Sequence, residues 1–420
     1  MKMLYSLVLC GVILMLMVAA IPPANQAEMA QSADAFVGSV GVNVHLHYTN
    51  TPYGDFPSVE RALKDLGARH IRDALLDTSW APYYDRINDL GRLGIKGIFI
   101  TNPKESDSLL MDFPSRVPES FEGYEAPNEY DSSHDPDWAA TLSVFVKRLH
   151  DAVKSNRATS AYPIIGPSLT QPKSFLKVAA LAPLFDYANL HNYFGGRNPG
   201  TSGWGGGGYG SINWNLNLAK QAWTGKPIMT TETGYLTDVN KTQGVPEDVA
   251  GKYFPRLLLE QWEHGIQRTY IYQLLDLGNK KFADDSFGLL HADFSPKPGY
   301  TAIQNIIRLL SDPGPSFHPG ELDYSVTGDV AGVDHALFEK RDGTFFLALW
   351  VEKPSYDVDA KKVLPVAVHK ISIQMQSPMT LGVHTLDDAG AMHTAAIGTA
   401  QAASLKLDDK VTILELHSTP

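Results

Sequence analysis

The chain has a single cysteine, Cys10, and it lies inside an apolar run at the N-terminus. Beyond that run there is no thiol for a disulfide, a zinc–thiolate site or a cysteine nucleophile. Basic runs are missing as well. With 35 Lys and Arg against 46 Asp and Glu the formal net charge is −11, which argues against nucleic acid and anionic membranes as partners. A neutral or weakly charged ligand fits better. Neither an internal repeat nor a heptad pattern is present, so folding has to rest on an ordinary hydrophobic core.

At 420 residues and 44% hydrophobic content the chain is long enough for a large domain with a smaller one appended. Lys2 precedes the apolar run from Leu4 to Ala20, and small residues at Val18-Ala19-Ala20, Ala27 and Ala30 offer cleavage positions. Residues 1–30 read as a signal peptide and leader, which predicts a secreted or periplasmic protein. The alternative is an uncleaved anchor, since about 17 apolar residues sit at the low edge of a spanning helix.

From residue 36 to 313 apolar strand patterns alternate with helical ones. The predicted strands are Val37–Tyr48, Ala68–Asp73, Ile95–Asn102, Glu119–Glu125, Tyr162–Gly166, Phe185–Tyr193, Pro227–Glu232 and Arg268–Asp276. Helices are expected after Pro57, with Ser58 as cap, and around Tyr84–Leu93, Trp138–Val153, Val245–Gly265 and Tyr300–Leu310. The glycine-rich tract Asn198–Gly210 reads as a mobile loop on a connection without a helix. Eight such units predict a (β/α)8 barrel, with function collected at the C-terminal ends of the strands. Pro313-Gly314-Pro315 marks a boundary, and short β patterns separated by Asp-Gly and Asp-Asp turns predict an all-β sandwich over residues 318–420 that supports the barrel.

The polar strand ends carry the chemistry. Strand four runs into Asn128-Glu129 and strand seven ends at Glu232, three units away, so the two carboxylates would face each other across the mouth of the barrel. Glycoside cleavage with retention needs that pair: a protonated carboxyl for the leaving oxygen and an ionised one for the anomeric carbon, about 5–5.5 Å apart. Glu129 is assigned as acid/base and Glu232 as nucleophile, with Arg72 stabilising the Glu232 carboxylate and Asn128 placed to bond a sugar hydroxyl. His45 and His47 share one face of strand one with Asn43 and would line a sugar subsite with Tyr48. Asn102, Tyr272 and Gln273 stand at the ends of strands three and eight. Trp204 and Tyr209 on the glycine tract could stack on sugar faces, and a groove flanked by these, Tyr235 and Trp80 would favour a polysaccharide.

In this order the motifs resemble clan A of the retaining glycoside hydrolases, which places Asn-Glu after strand four, Glu after strand seven, Arg after strand two and His-x-Tyr after strand six. Asn128-Glu129, Glu232, Arg72 and His191-Asn192-Tyr193 occupy those places. The resemblance implies that Tyr193 bonds the nucleophile and His191 shapes the site, with no cofactor and no metal. Phe287–Leu290 and Ser295–Tyr300 are also similar to the clan's connection after strand eight. Where the clan often puts a Trp after strand eight, this chain has Tyr272, Gln273 and Asp276. The implied partner is a carbohydrate, a β-glycan, and a monomer is expected.

Two other readings remain open at this stage. His45-x-His47 with His191 and Asp276 could serve a metal-dependent amidohydrolase barrel, although strand five ends Gly166-Pro167-Ser168 without a histidine and no lysine follows strand four. A carbohydrate-binding protein without catalysis is the other, and the presence of both glutamates speaks against it.

Overall fold

The computed structural model describes residues 26–278 and 285–418; the apolar run expected to be a signal peptide, with Cys10, lies outside them. Among the described residues no helix is long and apolar enough to cross a membrane.

Eight parallel strands form the first sheet: Val40–Asn43, His70–Ala74, Lys96–Ile100, Phe121–Glu125, Ile164–Ile165, Ala188–His191, Ile228–Thr233 and Arg268–Ile271. Each pairs with its neighbour in chain order, the eighth pairs with the first, and a bridge from Ile165 to Tyr187 joins the fifth to the sixth. The sheet is therefore a closed barrel, which leaves no edge exposed. One helix follows each strand: Phe56–Leu66, Pro82–Arg92, Asp107–Arg116, Trp138–Ser155, Pro172–Lys177, Ile212–Ala222, Glu247–Glu263 and Pro298–Leu310. Their apolar stripes bury Leu63 and Leu66, Ile87 and Leu90, or Ile303 and Ile307 against the strands.

Several boundaries differ from the sequence reading, for local reasons. Val37 lies inside a short helix, Ala33–Gly38, which Ser32 opens by accepting from the Ala35 N–H. The first strand stops at Asn43; beyond it the Leu46 N–H donates to the Asp73 carboxylate instead of a strand partner. Asp55, not Ser58, caps the first barrel helix, and the Ser58 N–H is what it accepts from. The connection from strand six to strand seven is not free of helix: Ser211 accepts from the Trp214 N–H and opens Ile212–Ala222, whose Ile212, Leu216 and Ala219 are buried. Asparagines at 213, 215 and 217 between those positions hide the stripe in the sequence.

Most of the remaining strands form one mostly antiparallel sheet, built from Glu321–Gly328, Val333–Glu339, Phe345–Val351, His369–Leu386, Met392–Leu407 and Thr412–Ser418, while Tyr356–Asp357 and Lys362–Val363 pair by themselves. It folds over its own core, which includes Leu322, Leu347, Leu349, Ile373, Leu405 and Leu414. Alternation along Phe345–Val351 explains why that whole strand is buried. Leu347, Leu349 and Val351 enter the sheet's core, whereas Phe346, Ala348 and Trp350 pack with the barrel. The sheet is not confined to residues after 318. Gln26–Met29 pairs antiparallel with Glu321–Tyr324 and Gln31–Ser32 runs parallel to Phe338–Glu339, so part of the stretch read as leader is an edge of this sheet. A polar segment held by backbone bonds carries no apolar alternation to announce it.

The two halves meet through a buried ion pair. Arg256, on the barrel helix Glu247–Glu263, donates through Nε to Glu352 Oε2 at 2.8 Å and lies 2.7 Å from Oε1 through Nη2. Glu352 also accepts from Trp350 Nε1, Asn198 Nδ2 and the Gly200 N–H. The glycine tract beside the barrel mouth is thus tied at its base to the second sheet.

Candidate active site

Parallel strands in a closed barrel put every strand's C-terminal end on one rim, and a cavity of about 500 Å3 opens there. Asn43, His45, His47, Arg72, Asn128, Glu129, Tyr193, Glu232, Tyr272 and Phe287 line it.

Arg72 organises its floor. The guanidinium is 2% exposed, so each of its five N–H groups needs an acceptor. Nε and Nη2 grip the two oxygens of Glu125 at 2.6 and 2.7 Å. Nη2 also donates to Asn128 Oδ1 at 2.6 Å, and Nη1 to Asn43 Oδ1 at 2.8 Å and Glu232 Oε1 at 2.6 Å. Burial alone would push the guanidinium down; the Glu125 and Glu232 charges outweigh it and the net shift is upward. Glu125 was missed in the sequence reading. A glutamate inside a buried strand must be paired, and Arg72 at the end of strand two was the signal for it.

Glu232 is held ionised. Burial pushes its carboxyl up, but His191, Arg72 and the hydrogen bonds from Arg72 and Tyr193 together bring it below the ordinary glutamate value. Tyr193 Oη donates to Glu232 Oε2 at 3.0 Å, and burial raises that phenol well above its usual range, so it remains a donor.

Glu129 lives in a different environment. Its side chain is 33% exposed and its backbone adopts φ 43°, ψ 40°, a left-handed conformation uncommon outside glycine. The Glu129 N–H donates to Ser168 Oγ, which helps hold this turn. Glu129 Oε1 lies 2.7 Å from His191 Nδ1. Oxygens of Glu129 and Glu232 and a nitrogen of His191 all lie within 4.8 Å of one another.

The hydrogen bonds behind His191 fix its tautomer. Asn189 Nδ2 faces two acceptors, the Glu125 carboxylate and the Gly166 carbonyl, so its amide cannot be turned round. Thr231 Oγ1 then has only acceptors for its one hydrogen, Asn189 Oδ1 at 2.8 Å or Glu125 Oε1 at 3.2 Å. Having given that hydrogen away, Thr231 must accept from His191 Nε2 at 3.1 Å. Nδ1 of the neutral ring is consequently an acceptor. A contact of 2.7 Å to a carboxyl oxygen requires a proton between them, carried by Glu129 or by the ring. The pair holds one proton beside an ionised Glu232.

The other expected site residues divide. His45 lines the cavity, stacked on Tyr48 at 4.6 Å, with Nε2 buried and without a protein partner; burial pushes the ring below its ordinary value and so keeps it neutral. His47 lines the cavity 3.6 Å from Asp73. Tyr272 does so between His45 and Phe287. Trp204 and Tyr209 wall a second cavity, of about 220 Å3, which shares Glu129 and Tyr193 with the first.

Three expectations fail. Asn102 is outside the cavity, its Oδ1 accepting from the Lys104 N–H in a turn. Tyr235 is 1% exposed and donates to the Arg197 carbonyl, packed on Tyr253 and Phe254. Gln273 is fully buried below the floor, accepting from Tyr53 Oη. Period-two spacing assigns a face, but not the depth at which a strand end stops. Trp80 also stays outside, under the Arg86 guanidinium, so the aromatic flanks of a long open groove are not assembled. Nor are the ligands of the amidohydrolase reading. Among the described residues His45 and His47 join no cluster of three ligating side chains, and Asp276 is held by Lys297 at 2.8 Å.

No protein-family model matches the sequence, and no curated protein matches it. Solved structures do match. A family 39 glycoside hydrolase from the gut symbiont Bacteroides cellulosilyticus WH2 is 16% identical with a TM-score of 0.62, over 92% of this chain and 82% of that one. A glucosidase from Croceicoccus marinus is 10% identical with a TM-score of 0.63, over 96% and 98%. A monomeric beta-xylosidase from Caulobacter crescentus CB15 is 14% identical with a TM-score of 0.59, over 94% and 98%. At such identities the likeness establishes the fold, a barrel with an attached β region along the whole chain, which is the fold the clan A resemblance implies.

Proposed function

We propose that the protein is a retaining β-glycoside hydrolase in which Glu232 is the nucleophile and Glu129 the acid/base. The observation that carries this is that an oxygen of each carboxyl group lies within 4.8 Å of the other, an approach that suits the short separation of the retaining class better than the wider one that leaves room for a water in the inverting class. Their unequal surroundings support the division of roles.

In the first step a Glu232 oxygen bonds the anomeric carbon as the bond to the leaving oxygen breaks. The proton shared by Glu129 and His191 passes to that oxygen, and a glycosyl ester remains on Glu232. Water then attacks the same carbon, Glu129 taking its proton, and Glu232 leaves with the sugar configuration restored. Asn128 and the neutral His45 are placed to hold ring hydroxyls. The glucosidase and beta-xylosidase among the structural relatives favour a glucoside or xyloside as substrate. One of them is described as monomeric, in keeping with a monomer here.

Proton NMR of the first sugar released from 4-nitrophenyl β-glucoside or β-xyloside tests the reading. The β-anomer is expected first, with the α-anomer appearing only by mutarotation; α-anomer as the initial product contradicts it.

Export to the cell exterior or periplasm belongs to the same proposal. Cleavage near Ala20 keeps the edge strand Gln26–Met29, where Glu28 accepts from Tyr324 Oη and bonds His335 at 3.0 Å. N-terminal sequencing of exported protein should therefore start before Gln26, and a start at Gln31 contradicts this.

A further inference from the structure

The second cavity differs in kind from the first. Glu232 lines only the larger one, whereas Glu129 lines both. On the proposed mechanism, on which this inference rests, the anomeric carbon lies against Glu232 and the leaving oxygen at Glu129. The sugar ring then occupies the larger cavity, and whatever leaves with that oxygen extends into the smaller.

Aromatic side chains form much of the wall of the smaller cavity. Trp204, Tyr209 and Trp214 wall it, backed by Phe175, Leu190 and Leu218. Trp204 meets Tyr209 at 5.5 Å and 88°, and Tyr209 meets Trp214 at 4.7 Å and 65°. These edge-to-face contacts make a three-sided box and not one flat platform, a shape that offers faces and edges to an inserted aromatic ring. Two of the polar groups on this wall are engaged within the protein: Thr170 Oγ1 lies 2.5 Å from Ser132 Oγ, and Asn215 Nδ2 donates to the Ser211 carbonyl. An aromatic ring can meet these faces and edges on several sides at once, whereas a sugar ring stacks best on a single flat face.

The box is preformed. The Trp204 N–H donates to the Tyr209 carbonyl, and Arg197 covers the Trp204 ring at 4.8 Å. Gly210 has φ +83°, and a Cβ there would come within 2.2 Å of that ring, so glycine lets the indole lie down on the backbone.

We propose that this cavity takes an aromatic alcohol as leaving group, making the preferred substrate an aryl or arylalkyl β-glycoside and not an oligosaccharide. Benzyl alcohol and sugar hydroxyls are similar as leaving groups, so benzyl β-glucoside and β-xyloside can be compared with methyl glycosides and with cellobiose and xylobiose. For the wild-type enzyme kcat/KM on the benzyl glycoside should exceed that on the disaccharide by about tenfold or more, the discrimination available to an apolar pocket. In Trp214→Leu and in Tyr209→Ser the benzyl-to-methyl ratio of kcat/KM should fall about tenfold, and titration calorimetry with benzyl alcohol alone should show weakened binding. Equal or better use of the disaccharide by wild type, or an unchanged ratio in both variants, overturns the inference and leaves the proposed reaction standing. Failure to cleave any glycoside overturns the reaction and with it the leaving-group role of the cavity.

Discussion

His191 Nδ1 stands 2.7 Å from Glu129 Oε1 while its Nε2 is committed to Thr231. This contact gives the acid its proton at a site whose other carboxylate must stay ionised, since two titratable groups share one proton next to Glu232. His191 is a positioning residue in this account. Replacing it by Asn removes one of the two places the proton can sit. Phenyl glycosides should then lose about 10²–10³ in rate, within the usual worth of general acid catalysis. Dinitrophenyl glycosides, whose leaving group needs no proton, should lose much less. A purely structural role would lower both substrates equally.

Glu232 sets the acidic limb. Its carboxyl is held below the ordinary value of 4.5, so the nucleophile stays charged as pH falls and activity should persist below that value. The sign for stability is the same: the contribution is present above the unfolded glutamate value and is lost as pH falls through the depressed one. Tyr193→Phe deletes one of the bonds to the carboxylate. The acidic limb should move up, and kcat/KM should fall about 10–100-fold, the worth of a hydrogen bond to a charged group. A pH profile of both proteins checks this.

Arg72→Lys should be severe despite keeping the charge. An ammonium has three donors and no fork, so it cannot hold Glu125, Asn128, Asn43 and Glu232 together. Leaving Glu125 unpaired inside the barrel should destabilise the fold by about 3 kcal/mol or more in urea unfolding. Activity should fall on the order of 10³-fold, the scale of losing a preorganised charge contact.

How much of this was legible beforehand depends on where each residue stands in its strand. Arg72, Asn128, Glu129, His191, Tyr193 and Glu232 are polar groups at the ends of apolar runs, and the β–α rhythm alone puts those ends on one rim. Glu125 escaped notice because it sits one step deeper, where only its need for a partner marks it. Tyr235 and Gln273 were drawn in by proximity to strand ends, yet the chain turns them into the core, and Asn102 is used up in its own turn. Trp214 went unseen because the helix that carries it is interrupted by asparagines and follows a glycine tract. Tertiary contacts decided these positions, and local pattern does not encode them.

The interface between barrel and second sheet carries its own pH dependence. Glu260, Asp334 and Glu352 approach within 4.8 Å, and burial, then the Glu352 charge, push Asp334 up to about 6. A raised carboxyl contributes stability that is full below the ordinary aspartate value of 3.8 and is lost as pH rises through about 6. Asp334→Asn removes that loss, so its melting temperature should drop less between pH 5 and pH 8 than that of the wild type. Parallel thermal melts decide it.

The most direct measurement is covalent trapping. Incubation with 2,4-dinitrophenyl 2-deoxy-2-fluoro-β-glucoside or the matching xyloside slows both steps but keeps the first accessible, so the intermediate accumulates. Mass spectrometry of the peptides should find one fluoroglycosyl group, on Glu232. Label on Glu129, or inactivation without any covalent adduct, contradicts the account.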